Sequence, residues 1–583
     1  MLRAKKGATM RQKHHQVDFC VVGGGLAGMC AAIAAARHGA KVALMQDRPV
    51  LGGNASSEIR MHICGAHGEN NRETGILEEI ALENCYRNPY FNYSIWDSIL
   101  YEKVRYEPNI LLLLNCSCNS LVMDGSRIAA VKGWQTTTET WHTVEAALFA
   151  DCSGDSILAP LSGAEFRMGR EAASEFNEDI EPEQPDRKTM GMSCLIQARE
   201  MPTPQTFIPP AWAYDFPSED DLPYREHPLP QANFWWIELG GEQDAIHDTE
   251  EIRDELLKIA FGVWDHIKNH GDHGAENWAL EWVGFLPGKR ESRRYVGDHI
   301  LTQNDVRAGG RFEDVVAYGG WTMDDHHPAG FRYPGPPTIF HPAPSPFGIP
   351  YRSLYSRNIT NLFCAGRNIS TTHAALSATR VMATCALCGQ AVGTAAAIAT
   401  RHNLTPRGVY HERLSELQET LMDDDCYLPW HARPVPALSR AAQLTASEGD
   451  PEPLRNGLDR PIAGADNGWR GPLGAWVQYA FATPQPIRML RWVFDSDLNR
   501  QGYNAVSNYP LYMKPQGVPA TLIRTFRVEV LDASGTWHVL LRQENNYQRL
   551  VRLPAEVVAQ AVRFIPEATW GSPQAHLFAW DVR

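Results

Sequence analysis

One stretch, Asp18 to Asp47, constrains the fold more than any other part of the chain. A short apolar run (Phe19, Cys20, Val21, Val22) leads into Gly23-Gly24-Gly25-Leu26-Ala27-Gly28. An Ala-rich helical run continues to His38, followed by Gly39 and a second apolar run from Lys41 to Met45. That is the order of a βαβ unit. Gly23 makes the tight turn, Gly25 lets backbone approach a diphosphate, and Gly28 lets the helix pack on the strand. The helix start at Leu26 and Ala27 offers N–H groups and a positive dipole end to phosphates. A glycine run alone is a common turn. Strand, loop, helix and second strand in order make this one a dinucleotide site.

The 583 residues exceed what one core holds, so roughly two to four domains are expected. A net charge of −14 argues against a sequence-independent grip on nucleic acid or on an anionic membrane. No apolar run approaches a membrane span in length. The first seventeen residues, with Lys5, Lys6, Arg11 and Lys13, lack a secretory apolar segment and read as a loose tail of a cytoplasmic protein. Twelve scattered cysteines fit reduced thiols. Cys385 and Cys388 form a CxxC, but in an Ala-rich helical pattern that reads as a buried small-residue face.

Further along, Ile110–Leu114 reads as a buried strand, and two alternating runs turn at Asp124-Gly125. Leu148 to Asp155 is a strand ending in a small-residue turn. Residues 166–350 are rich in Pro, Trp and His with little periodicity, which suggests an inserted α+β domain facing the substrate. Asn361 to Gly366 is another strand entering glycine, followed by a long helix from about Ala374 to Arg401. After residue 440, strand-like runs alternate with turns, which predicts an all-β sandwich.

Five separated motifs then fall in one order. They are the βαβ glycines, Gln46-Asp47-Arg48-Pro49-Val50-Leu51-Gly52-Gly53-Asn54, Glu58-Ile59-Arg60, Gly288-Lys289-Arg290-Glu291-Ser292-Arg293-Arg294, and Cys364-Ala365-Gly366-Arg367-Asn368-Ile369-Ser370. Over roughly residues 15 to 425 the chain resembles the FAD-dependent oxidoreductase family, within the two-dinucleotide-binding-domain flavoproteins. Some relatives there carry heterodisulfide-reductase-A-like or polysaccharide-lyase-like labels. The resemblance implies an α/β fold: a Rossmann-like FAD-binding domain in two parts (15–165 and 351–430), the cap domain at 166–350, and a discoidin- or galactose-binding-like sandwich at 440–583.

The resemblance also implies where FAD is held: Gly23, Gly25, Leu26, Ala27 and Gly28 in the first turn, and Arg48, Gly53, Asn54, Ser57 and Arg60 after it. Gly154, Arg290, Gly366, Arg367 and Ala374 complete the set. Where most relatives end the second strand in an acidic residue, Gln46 stands here, with Asp47 as the fallback ribose ligand. Arg367 and Asn368 replace the usual Gly-Asp pairing, and arginine can take phosphate as a fork. The helix from Ala374 would aim its positive end at the flavin ring. Some relatives attach flavin to a histidine, whose place falls near Asn54, so non-covalent FAD is expected.

Hydride removal from carbon needs a base for the partner proton, and histidine titrates near neutrality. The candidates are His62, His67, His327 and His373, with His326 and His341 behind them. No metal site is expected, because these histidine runs lie far apart. The first reading is therefore an oxidoreductase taking hydride from a CH–OH group of a small molecule such as a sugar derivative or glycoside, with Trp235, Trp236, Trp282 and Trp321 able to stack on sugars. The electron acceptor is unknown, and a homo-oligomer remains open. The alternatives are an electron-relay flavoprotein subunit, which needs clustered cysteines, or a glycan-binding protein with a vestigial flavin fold, using Trp469 and Trp570.

Overall fold

The computed structural model describes residues 10–504 and 506–583, so Lys5 and Lys6 of the expected tail lie outside the described residues. Arg11 and Lys13 are not tail. They begin a strand, Arg11–Val22, that pairs in parallel with Thr140–Asp151 along nearly its full length. Backbone pairing carries this strand past the point where apolar residues stop, which is why composition suggested a tail.

Two compact units divide the chain. Of the described residues, the first comprises 10–65, 91–417, 504 and 506–514; the second comprises 66–90, 418–503 and 515–583. Residues 66–90, including the helix Ile76–Arg87, thus join the second unit, although they sit in sequence within the expected FAD-binding segment.

The first unit is built on a seven-stranded sheet in the order Ile110–Leu113, Val42–Met45, Arg11–Val22, Thr140–Asp151, Arg127–Gln135, Cys116–Asp124. Leu362–Cys364 pairs in parallel with the end of Thr140–Asp151. The strand ends at Val22, Asp151 and Cys364 therefore lie side by side, and the turns after them open at one sheet edge.

The helix Leu26–Arg37 is buried except near its end and lies against Met382–His402. Glycine is required at that contact. A Cβ at Gly389 would stand 2.0 Å from the Ala27 carbonyl oxygen, and one at Gly393 2.1 Å from that of Ala31. By length and composition Met382–His402 could cross a membrane, contrary to the reading of no such run, but its most apolar window is 94% buried inside the protein. Small residues explain that burial: they let a second helix replace lipid.

The single helix expected from Ala374 to Arg401 is two, His373–Thr379 and Met382–His402. Val381 is extended between them (φ −65°, ψ 143°), a break that composition does not announce. The insert contains several two- and three-stranded sheets and one amphipathic helix, Thr249–Asn269, over a core that includes Trp236, Trp264 and Trp278.

The second unit is antiparallel β. Its seven-stranded sheet is organised by two long strands, Val477–Phe494 and Leu550–Thr569, around a core of Trp469, Trp492, Phe526, Phe564 and Trp580. The C-terminal part of this unit is the all-β sandwich expected from the strand spacing, and the helix Ile76–Arg87 is added to it from the N-terminal half of the chain. Trp469 corrects one expectation: it is fully buried, donating Nε1–H to the Glu448 carbonyl at 2.8 Å, and offers no exposed ring to a sugar. Trp570 is half-buried, its Nε1–H held by the Asn546 carbonyl at 2.7 Å.

Candidate active site

Gly23 has φ +105°, and a Cβ there would lie 2.3 Å from the Cys152 carbonyl oxygen. At Gly28 a Cβ would meet the Gly23 carbonyl oxygen at 1.8 Å. Both positions must be glycine for the turn to close onto the sheet. Gly25 differs: the nearest atom to its Cβ position is the Gly53 Cα at 3.9 Å, so the missing side chain leaves room along the cavity. The Gly52-Gly53 turn hydrogen-bonds back to this loop, the Gly52 amide donating to the Gly24 carbonyl at 2.9 Å.

These turns line a cavity of about 500 Å³, a normal size for a cofactor site. Gly23, Gly25, Leu26, Ala27, Gln46, Asp47, Arg48, Gly53, Asn54, Gly154, Arg290, Gly366 and Arg367 all line it. Ser57, Arg60, Gly28 and Ala374 do not. Gly28 acts through packing, as its glycine role implies. The Ser57 amide donates to Asp97 at 3.2 Å. Arg60 is enclosed by the rings of Tyr93 and Trp282, at 4.7 and 4.6 Å, and donates to Gln197 at 2.9 Å, so aromatic packing takes it from the cofactor. Ala374 is buried in the short helix behind the break.

The helix end that reaches the cavity is instead that of Met382–His402, through Val381, Met382 and Cys385. Neither it nor Leu26–Arg37 has a side-chain N-cap or an acidic residue in its first turn. Two positively polarised helix ends without side-chain caps therefore open on one cavity, the Ala383 amide of the second already donating to the Cys64 carbonyl at 3.1 Å; they suit a ligand with a diphosphate and a second electron-rich group.

Gln46 accepts the Gly24 amide at 2.7 Å and donates to the Val50 carbonyl at 3.2 Å. Its amide is largely occupied in bracing the glycine loop, leaving the exposed Asp47 as the carboxylate at that end. Arg367 is not a free fork. Its guanidinium donates to Asp155 at 2.7 Å and to Ser292 at 2.9 Å, and Lys289 reaches the other Asp155 oxygen at 2.8 Å. Although burial opposes its charge, Asp155 is held well below the usual carboxylate range by Arg367 and Lys289. Asp151 is structural, accepting from Ser153, Leu158 and the Tyr295 hydroxyl.

Of the four candidate bases, only His62 lines the cavity among the described residues. Burial lowers its pKa, which keeps the imidazole neutral. His67 is exposed and belongs to the second unit. His327 stacks on Tyr333 with ring centroids 3.6 Å apart, and its Nδ1 accepts the Ala329 amide. His373 lies outside the lining, buried between Glu291 (2.8 Å) and Asp325 (3.4 Å). Burial opposes its charge, but those carboxylates raise its pKa well above the ordinary value, so it is a fixed cation and not a base. His326 is likewise bridged between Glu238 and Asp324.

The same lining carries several cations, among them Arg290 and Arg380. Arg290 donates to the Ser193 hydroxyl at 2.8 Å and the Trp235 carbonyl at 3.0 Å, with Glu238 at 3.4 Å. Arg380 donates to Asp324 at 2.9 Å. Arg380, Lys289 and Asp155 escaped the sequence reading, although Lys289 sits inside a quoted motif. Trp235, Trp236, Trp282 and Trp321 are absent from the described lining: Trp236 packs in the insert core, and Trp282 covers Arg60.

A family model described as FAD dependent oxidoreductase matches residues 18–421. The chain belongs to that family. The residues fit its cofactor, since glycine turns without side chains, helix ends without side-chain caps and an exposed carboxylate all line one cavity. No curated protein matches the chain. Among solved structures it is similar to the family 32 carbohydrate-binding module of Streptococcus pneumoniae EndoD (14% identity, TM-score 0.20), over 25% of this chain and 97% of that module. It is also similar to the family 32 module of Clostridium perfringens NanJ in complex with galactose (6% identity, TM-score 0.19), over 25% and 95% of the two chains.

Proposed function

We propose that this FAD-dependent oxidoreductase oxidises a CH–OH group of a small hydroxylated molecule, with sugars and glycosides as the class to try first. Bound FAD would accept the hydride equivalent. The observation that carries the reading is His62: a neutral imidazole on the cavity wall, with its pKa lowered by burial, suited to taking the hydroxyl proton. Arg290 and Arg380, held in place by Glu238 and Asp324, supply positive charge for the oxygen as that proton leaves. Arginine suits this because it stays charged and does not compete for the proton.

The electron-relay alternative has less support. Burial raises the pKa of the Cys385 thiol to about 12 and pushes those of Cys388 and Cys364 well above the ordinary value, so these are packed neutral thiols.

The test is anaerobic bleaching of the flavin by a panel of sugars, glycosides and simpler alcohols, followed by the best reductant with His62→Asn. The reduction rate should fall about 10²- to 10⁴-fold with flavin content unchanged. In the wild-type enzyme the rate should fall as pH drops through the lowered imidazole pKa, because the base must be unprotonated. A variant that reduces at the wild-type rate, or a panel in which no alcohol bleaches the flavin, would refute the reading.

A further inference from the structure

The insert gathers a second constellation of side chains, separate from the cavity. His227, His266, His273 and Glu219 each offer one ligand atom, and all four atoms lie within 4.8 Å of one another. The Glu219 Oε1 is 3.8 Å from His227 Nε2, 3.6 Å from His266 Nε2 and 3.5 Å from His273 Nε2. The edges of a tetrahedron drawn with zinc–nitrogen bonds of about 2.0–2.1 Å are about 3.4 Å, so small side-chain movements close the set.

The hydrogen bonding around these rings is the second observation. His227 Nδ1 lies 2.7 Å from the Arg225 carbonyl oxygen, and His266 Nδ1 lies 2.7 Å from that of Phe216. A carbonyl can only accept, so each Nδ1 carries the proton and each Nε2 presents its lone pair to the centre of the group. Outer-shell bonds of this kind orient metal-ligating histidines. The Nε2 atoms of His266 and His273 are buried and have no hydrogen-bond partner among the described residues, and the His266 side chain is 1% exposed. Buried polar atoms ordinarily find partners, so two orphaned ring nitrogens, one of them with its lone pair fixed, converging with a carboxylate call for a cation.

We propose that His227, His266, His273 and Glu219 bind one divalent transition-metal ion, with Zn²⁺ the best match to three imidazoles and a carboxylate. Four protein ligands make a closed, structural set. It ties the 219–227 loop and the segment around His273 to the C-terminal turn of Thr249–Asn269. That helix carries Thr249 and Glu250 on the flavin cavity at its other end. At 1.5 Å per residue, His266 is about 24 Å from Glu250 along the axis, so the ion takes no direct part in the cavity chemistry.

The experiment uses the full-length flavoprotein, stripped with a chelator and dialysed, then titrated with Zn²⁺ against a competing indicator and, separately, with Co²⁺ followed by visible absorption. One Zn²⁺ per chain should bind with a dissociation constant of roughly micromolar or tighter, and Co²⁺ should give the intense bands of a four-coordinate ion. Glu219→Gln, at an exposed position, and His273→Ala should each weaken Zn²⁺ binding at least about tenfold. Flavin absorbance per chain checks that each variant is folded. The proposal is overturned if the wild-type chain takes up no stoichiometric Zn²⁺, if Co²⁺ shows only the weak spectrum of a six-coordinate ion, or if neither substitution changes the affinity.

Discussion

Glu181 gives a prediction whose size can be worked out. Its side chain is 8% exposed, and neither carboxyl oxygen accepts a hydrogen bond from the described residues. Burial is the main cause of its raised pKa, the charges of Glu171 and Glu178 add to it, and His373 and Arg294 pull back only in part, leaving a value of about 7. The unfolded chain should release this proton near pH 4.5. Between those two values the folded protein holds a proton that the unfolded chain has lost. Stability conferred by the group is therefore full below the unfolded value and falls as pH rises towards 7. A shift of this size corresponds to roughly 3 kcal/mol at about 1.4 kcal/mol per unit. For a cooperative unit of roughly 400 residues, that is about 3–4 °C in melting temperature. Other carboxyls titrate in the same range, so the informative quantity is a difference. Glu181→Gln should melt close to wild type at pH 5 and about 3 °C above it at pH 8, read by differential scanning calorimetry of the holoprotein. A wild-type advantage that grows from pH 5 to pH 8 would refute the assignment of a strained, buried carboxyl.

Two predictions concern the cofactor. With Gln46 occupied by the glycine loop, Asp47 is expected to meet the adenosine ribose, so Asp47→Asn should weaken FAD binding about tenfold in equilibrium titration of the apoprotein. An unchanged affinity would return that role to Gln46. Asn54 faces the cavity with its amide on the Lys289 carbonyl at 3.1 Å, and acid precipitation should leave all the flavin in the supernatant. Yellow colour retained in the pellet would show a covalent bond.

What the sequence disclosed followed the range of the forces involved. Gly23, Gly25 and Gly28 were legible because backbone geometry within a few residues dictates them. The parallel strands were legible because both their faces are apolar. Side chains whose roles depend on distant partners were not. Arg60 belongs to a motif, yet Tyr93 and Trp282 claim its guanidinium. His373 was placed at the flavin by its turn, but Val381 breaks the helix and moves the cavity-facing end one element onward. Trp469 follows an Asn-Gly pair and looked like a loop aromatic, whereas the sheet closes over it. The His266, His270 and His273 spacing was a visible signal. It is incomplete in the sequence because two of the four grouped side chains, Glu219 and His227, come from another segment.

The contact between the two long helices links packing to cofactor binding, and it can be tested with one methyl group. Gly389 and Gly393 lie one turn apart on Met382–His402, each against a carbonyl of Leu26–Arg37. A methyl at either cannot be accommodated without moving an axis, because the obstacle is backbone. Overpacking of this kind costs about 1–3 kcal/mol, so Gly389→Ala and Gly393→Ala should both lower the melting temperature. Their effects on the cofactor should differ. Gly389 is one turn from Cys385, which lines the cavity, and its partner Ala27 is itself in the lining; Gly393 and Ala31 are a turn deeper. If the two helix ends act together on one ligand, Gly389→Ala should weaken FAD binding several-fold more than Gly393→Ala at similar loss of stability. Equal FAD affinities in the two variants would mean that the helix ends serve the fold alone and that the glycine loop holds the cofactor without the second helix.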